Sequence, residues 1–256
     1  MSPKITMLYD KNWVPILSDI KIEGIAENLL KSLFPDLLKK PNKTPILDVL
    51  NRIKERDNLK VHYQPIERHD DVLIAGRINI PKRTIYFDKS IADNIEKPEY
   101  RFVVAHELGH WLLHSQKRII FSKDEKRNWE FIDTYDSLVL SAPKDLTNPR
   151  DRAEHQANAF AAGILMPTSI FQKTLEVIQY AVGGVCRDIG KVYVDDNPSS
   201  KREYFKLLSH LCGTFNVSFS SVEIRLIRLG LLTDKRKKAK PSSCLFKSNF
   251  RCNPGT

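Results

Sequence analysis

The sequence predicts an α+β domain, and three observations carry that expectation. Apolar residues recur with helical spacing near the N-terminus, two β-rich runs follow with a turn between them, and the rest returns to helices bounded by caps and prolines. With 256 residues, 41% hydrophobic and 28% charged, the chain can bury a sizeable core and is too apolar for intrinsic disorder.

In chain order, Ile22, Ile25, Ala26, Leu29, Leu30 and Leu33 form one apolar helix face, which Pro35 ends. Thr44 and Pro45 read as an N-cap and first-turn pair opening a second helix through about Arg56. Lys60 to Tyr63 suit a short strand. VLIAGRI (72–78) and TIYF (84–87), separated by NIPKR, read as two antiparallel strands, so a small antiparallel sheet is expected.

A helix from Pro98 to about His114 carries Phe102, Ala105, His106, Gly109, His110 and Leu113 on one face. Residues 121–148 mix charges, Trp129, Phe131 and turn formers, and assign no element. Asn148-Pro149-Arg150-Asp151 supplies a cap, a first-turn proline and a first-turn acid for an alanine-rich helix ending before Pro167. Further elements are a helix from Ser169 to Ala181, an interruption at Gly183-Gly184, and a strand in KVYVD (191–195).

Ser200-x-x-Glu203 is a capping box for a helix to about Cys212, and Ser218 can cap another running to Leu229 with Gly230 after it. This pair has the spacing of part of a helix-turn-helix. Its outer residues Ser220, Glu223 and Arg228 are a mixed set rather than a basic one, so a structural hairpin closing the domain is expected over DNA readout. The expected organisation is a main domain over 1–199, the hairpin over 200–234 packed on it, and a basic, disordered tail over 235–256.

The net charge of +10 suggests nucleic acid until its distribution is read. Seven of the excess positive charges are Lys235, Arg236, Lys237, Lys238, Lys240, Lys247 and Arg251, in a tail without acids, so the folded body is only mildly basic. The tail can make weak nucleic-acid contacts through charge alone. Cys186, Cys212, Cys244 and Cys252 form no C-x-x-C pair, which leaves any metal to nitrogen and oxygen ligands. The start lacks a basic segment followed by an apolar one, and no stretch approaches the ~20 apolar residues of a membrane span, so a cytoplasmic protein is expected.

The chemistry resides in His106-Glu107-Leu108-Gly109-His110. Histidines at i and i+4 project from one helix face, where both imidazoles can converge on a single Zn²⁺ with bonds of about 2.0–2.1 Å. Glu107 then lies beside the metal without binding it, placed to accept a proton from an activated water and return it to a leaving amine. Gly109 in mid-helix costs about 1 kcal/mol relative to alanine, which asks for a second helix in close approach. His114 is read as a helix-end histidine bonding a last-turn carbonyl, outside the ligand set.

A catalytic zinc centre takes three protein ligands, and Glu154 is the candidate for the third. It shares a helix face with Ala157, Asn158, Ala161 and Ala162, small residues that permit close packing. Asn158, one turn on, can hold a ligand histidine or orient the carboxylate. His155, about 100° round the helix, is the competing ligand.

HELGHWLLH (106–114) and EHQANAFAAGILMP (154–167) resemble the ImmA/IrrE metallopeptidases, with weaker resemblance over roughly residues 20–232. The resemblance implies a compact zincin-like fold in which the His106 helix packs against a second, ligand-bearing helix. It implies zinc on His106, His110 and Glu154, with Glu107 as the base. It also implies a protein substrate, a repressor of the helix-turn-helix class whose cleavage relieves repression. The chain departs from the family in the length of 115–153, in the composition of 183–190, and in its basic tail.

Two functions of different class follow. The first is a zinc-dependent endopeptidase whose extended substrate pairs with a sheet edge supplied by VLIAGRI or TIYF. The second is a DNA- or regulator-binding module with a structural metal, acting without cleavage; Glu107 argues against it, because a closed metal site has no use for that carboxylate. Tyr63, Tyr86, Tyr100, Tyr135 and His155 are the conceivable oxyanion donors.

Overall fold

The computed structural model describes residues 8–66, 74–115, 130–134, 146, 148–182 and 189–237. At its centre is α4 (Pro98–His114), which starts with Pro98 in its first turn and is buried on nearly all sides from Arg101 to Trp111. A helix covered all round needs neighbours on each face. They are α5 (Pro149–Leu165), α2 (Ile46–Asp57) and strand β2 (Ile74–Asn79). Helix α5 opens as its sequence suggests, with the Asn148 side chain accepting from Arg150 N, and it lies in turn against α1 (Asp19–Leu33).

The Thr44-Pro45 pair does not cap α2. That helix starts at Ile46, and the buried Thr44 hydroxyl instead donates to Ile164 O at 2.7 Å. This satisfies one of the last-turn carbonyls that every helix leaves open, here at the end of α5. Arg101, buried at the start of α4, donates to Thr44 O at 2.8 Å and to Asn216 O at 3.1 Å, so one guanidinium joins three distant segments.

Four strands form a sheet in the order β1 (Lys60–Gln64), β3 (Thr84–Asp88), β2, β4 (Glu130–Thr134). Strands β2 and β3 are antiparallel as expected, with Ile78 opposite Ile85 and Gly76 opposite Phe87. The expectation of an antiparallel sheet is corrected at β1, which pairs parallel with β3 and sets Tyr63 beside Phe87. Strand β2 runs opposite to β1, and the hairpin inserts β3 between them, so β3 must run with β1. A second correction follows. VLIAGRI and TIYF supply the interior strands, and the edges among the described strands are β1 and β4.

The remaining elements are a 3-10 turn at Leu37–Lys39, the short α3 (Lys89–Asn94) capped by Asp88, α6 (Thr168–Val182), β5 (Val192–Val194), α7 (Pro198–Phe215), α8 (Phe219–Arg228) and β6 (Leu232–Asp234). The capping box at Ser200 does not form. Asn197 caps α7 through Ser199 N, and Ser200 Oγ accepts from Asp195 N at 3.2 Å. Ser218 caps α8 as expected. Of the residues expected on the outside of α8, Ser220 is exposed. Glu223 accepts from the Tyr204 hydroxyl at 2.8 Å and from Arg236 at 2.7 Å. Arg228 is half-buried, and burial pulls its pKa below the ordinary arginine value.

Lys235 N donates to Val194 O at 2.8 Å and Lys237 N to Asp196 at 3.0 Å, so the first residues of the basic segment are tied to the β5–β6 pair. The rest of that segment, from 238, lies outside the described residues, as does most of 121–148.

Candidate metal centre

The i, i+4 spacing on α4 brings His106 and His110 together edge to face, and their Nε2 atoms are 2.9 Å apart. Glu154 reaches them from the second turn of α5, its Oε2 at 3.3 Å from each Nε2. The three atoms form a triangle that could hold a metal ion. The histidines are 1% and 0% exposed, whereas the Glu154 side chain is 26% exposed, so solvent approaches from the Glu154 side.

This approach of α5 to α4 depends on small residues. A β-carbon at Gly109 would lie 3.1 Å from the Ala157 backbone and 3.2 Å from Phe160 Cδ1. The mid-helix glycine thus has the packing role its sequence position suggests. On the other side of α4, β2 passes over Glu107, which is fully buried. A β-carbon at Gly76 would collide with the Glu107 carboxylate, with Cδ and Cγ at 3.1 Å. Gly76 therefore provides the space that Glu107 occupies.

Each histidine is held from behind. Asn158 Oδ1 lies 2.8 Å from His106 Nδ1. An amide oxygen only accepts, so His106 carries its proton on Nδ1 and turns the bare Nε2 lone pair to the triangle. Behind His110 stands His114, with Nδ1 to Nδ1 at 3.0 Å, followed by Gln156 Oε1 at 3.0 Å from His114 Nε2. Complete burial, with His110 beside it, pushes the His114 imidazole down to about 3, so it is neutral near pH 7. His114 is thus not the carbonyl-bonding helix end that was expected. The structure adds His114, Gln156 and Gly76 to the residues that sequence reasoning assembled. The repeated four-residue spacing from His106 through His110 to His114 was the signal for the first.

The competing ligand turns away. His155 Nε2 lies 3.0 Å from Asp19 Oδ1, and this hydrogen bond holds the Asp19 carboxyl below its usual range. Among the conceivable oxyanion donors, Tyr86 lies on the opposite sheet face from Phe87 and Gly76, stacked with His62 and under Arg77. Tyr100 is on the first turn of α4, near Lys97, and about 9 Å along the axis from His106. Tyr63 shares the Phe87 face, two strands from Gly76, and partial burial raises its phenol. Tyr135 lies outside the described residues.

Fold and centre together define a class: an α+β domain whose possible metal site takes two histidines from one helix and a glutamate from the next. Residues 55–183 match the IrrE N-terminal-like domain of the peptidase M78 family, and the chain belongs to that family. An uncharacterized protein of Methanocaldococcus jannaschii is 31% identical to it over 64 residues, which are 25% of this chain and 54% of that protein. The alignment thus spans about half of the relative's length. No helix among the described residues is long and apolar enough to cross a membrane.

Proposed function

We propose that this chain is a zinc-dependent endopeptidase acting on a protein substrate. The observation that carries the reading is the His106, His110 and Glu154 triangle, with sides of 2.9, 3.3 and 3.3 Å. A tetrahedral zinc with bonds of about 2.0–2.1 Å has ligand atoms about 3.3 Å apart, which is the distance of Glu154 Oε2 from each Nε2. His106, His110 and Glu154 would hold the ion. Bound there, zinc would supply Lewis acidity toward a carbonyl oxygen and a water molecule.

Glu107 is the general base: it takes a proton from the attacking water and delivers it to the leaving amine. Gly76 leaves its carboxylate room, and Asn158 holds His106 in the tautomer that presents Nε2. An extended substrate pairs with an edge strand, and β4 is the edge next to β2 and hence to Glu107. Membership of the family favours a helix-turn-helix repressor as that substrate, and with it a role in transcription regulation inside the cytoplasm.

The test is co-expression with a helix-turn-helix protein encoded beside this chain. Wild type should remove the intact partner. Glu107→Gln should lower that rate by about 10²–10⁴-fold and still bind about one zinc per chain. Near-wild-type cleavage by Glu107→Gln overturns the general-base role, and intact partner with both forms overturns the substrate.

A further inference from the structure

The polar groups behind His110 form a continuous chain that reaches the N-terminal segment. Gln156 Nε2 donates to Pro15 O at 2.7 Å, which orients the amide because a carbonyl only accepts. Gln156 Oε1 is therefore left to accept, and it lies 3.0 Å from His114 Nε2, which must carry the proton. An imidazole that binds an ion through Nε2 keeps its proton on Nδ1, so with His110 as a ligand the 3.0 Å contact to His114 Nδ1 is a bond that His110 donates and His114 accepts. His110 Nε2, 2.9 Å from His106 Nε2 and 3.3 Å from Glu154 Oε2, is then the atom turned to the ion.

The start of the chain is itself braced. The carboxylate of Asp10 accepts from Asn12 N at 2.8 Å and Val14 N at 2.9 Å and pairs with Arg152 on α5. Ile16 N donates to Leu8 O at 2.8 Å, and Val14 is fully buried. Pro15 lies outside residues 55–183, so a backbone carbonyl beyond the family-matched region takes part in setting the centre.

We propose that Gln156 and His114 are positioning residues that carry the orientation of the Pro15 carbonyl to His110, holding its Nε2 lone pair toward the ion. The proposal rests on the metal reading of the triangle and adds the groups that orient one of its ligands. His114 acts here as an acceptor for His110 Nδ1–H, which is a stricter requirement than filling volume. An apolar residue of similar size fails at it, and a side-chain amide meets it.

Two measurements on the full chain test this. In zinc-loaded protein, imidazole ¹⁵N spectra should show the His110 proton on Nδ1 and the His114 proton on Nε2; a proton on His114 Nδ1 overturns the relay. In chelator competition, His114→Leu and Gln156→Leu should each weaken zinc binding by about 10–100-fold, with His114→Gln recovering most of the loss. Changes below about twofold in both leucine variants, while Glu154→Ala loses zinc outright, overturn the relay and leave the metal site standing. If the unmodified chain binds no zinc, the metal reading falls, whereas zinc bound with the His114 proton on Nδ1 overturns the relay alone. The tautomer measurement needs no variant, so a leucine variant that fails to fold does not weaken the test.

Discussion

Under the proposed activity, Gly76 bears on catalysis without carrying a functional group. Alanine there would drive a methyl group into the Glu107 carboxylate, and a displacement near 1 Å of a catalytic group costs about 10²-fold in rate. Gly76→Ala is therefore expected to cut peptide hydrolysis by about that factor while zinc content holds, since none of the three candidate ligands lies on β2. Parallel assays of zinc and cleavage check this, and an equal loss of both contradicts it. At this scale the sequence was most legible where chemistry repeats along one helix. His106, Glu107 and His110 needed only their spacing, whereas Gln156 lies 42 residues from His114 and Asp19 lies 136 from His155.

Helices α4 and α5 place the centre jointly, and their separation is set by Gly109 against Ala157. Gly109→Ala gains up to ~1 kcal/mol of helix propensity, but its methyl meets backbone at 3.1 Å, and overpacking costs about 1–3 kcal/mol. The expected result is a lower Tm, by about 2–4 °C per kcal/mol lost, together with weaker zinc binding as Glu154 moves away from the histidines. A higher Tm with unchanged zinc affinity would show that the helices yield freely. The elements themselves were mostly readable from caps, prolines and periodicity. Strand β6 and helix α3 were not, because LTD and KSIADN hold too few apolar residues to show a period. The parallel register of β1 was also hidden, since pairing direction is decided by where the chain returns.

Across the whole molecule, buried arginines join segments far apart in sequence. Arg225 on α8 donates to Glu23 at 2.6 Å, to Met166 O at 3.0 Å and to Thr168 Oγ1 at 2.7 Å, fastening the C-terminal hairpin to α1 and to the α5–α6 junction. Arg225→Met strands the Glu23 carboxylate and should destabilise the fold by about 3–5 kcal/mol, measured by denaturant unfolding. A change under about 1 kcal/mol would mean that Glu23 finds water instead. Acid stability has a comparable local source. Partial burial raises the Asp57 carboxyl, but bonds from Arg56 and the Trp111 indole outweigh it and hold the group below its usual range. A carboxyl lowered by folding stabilises above its unfolded value near 4 and loses that contribution as pH falls through the folded one. Asp57→Asn should therefore flatten the fall of Tm below about pH 4 and leave its slope near neutrality unchanged. A parallel fall in both proteins excludes Asp57 as a source.

By itself the sequence determined the α+β class, the order of the long helices, and the two segments that carry His106, Glu107, His110, Glu154 and Asn158. These follow from local rules: side-chain period, capping, and the reach of residues one turn apart. Only the tertiary structure decided that Glu154 rather than His155 meets the histidines, that β2 and β3 are interior strands, and that Pro15, Gln156 and His114 stand behind His110. The reason is physical. Which side chain of a helix faces a partner depends on the angle and distance at which the two helices pack, and a buried polar group takes its partner from whatever segment lies beside it. Neither quantity is written in the spacing of residues along the chain.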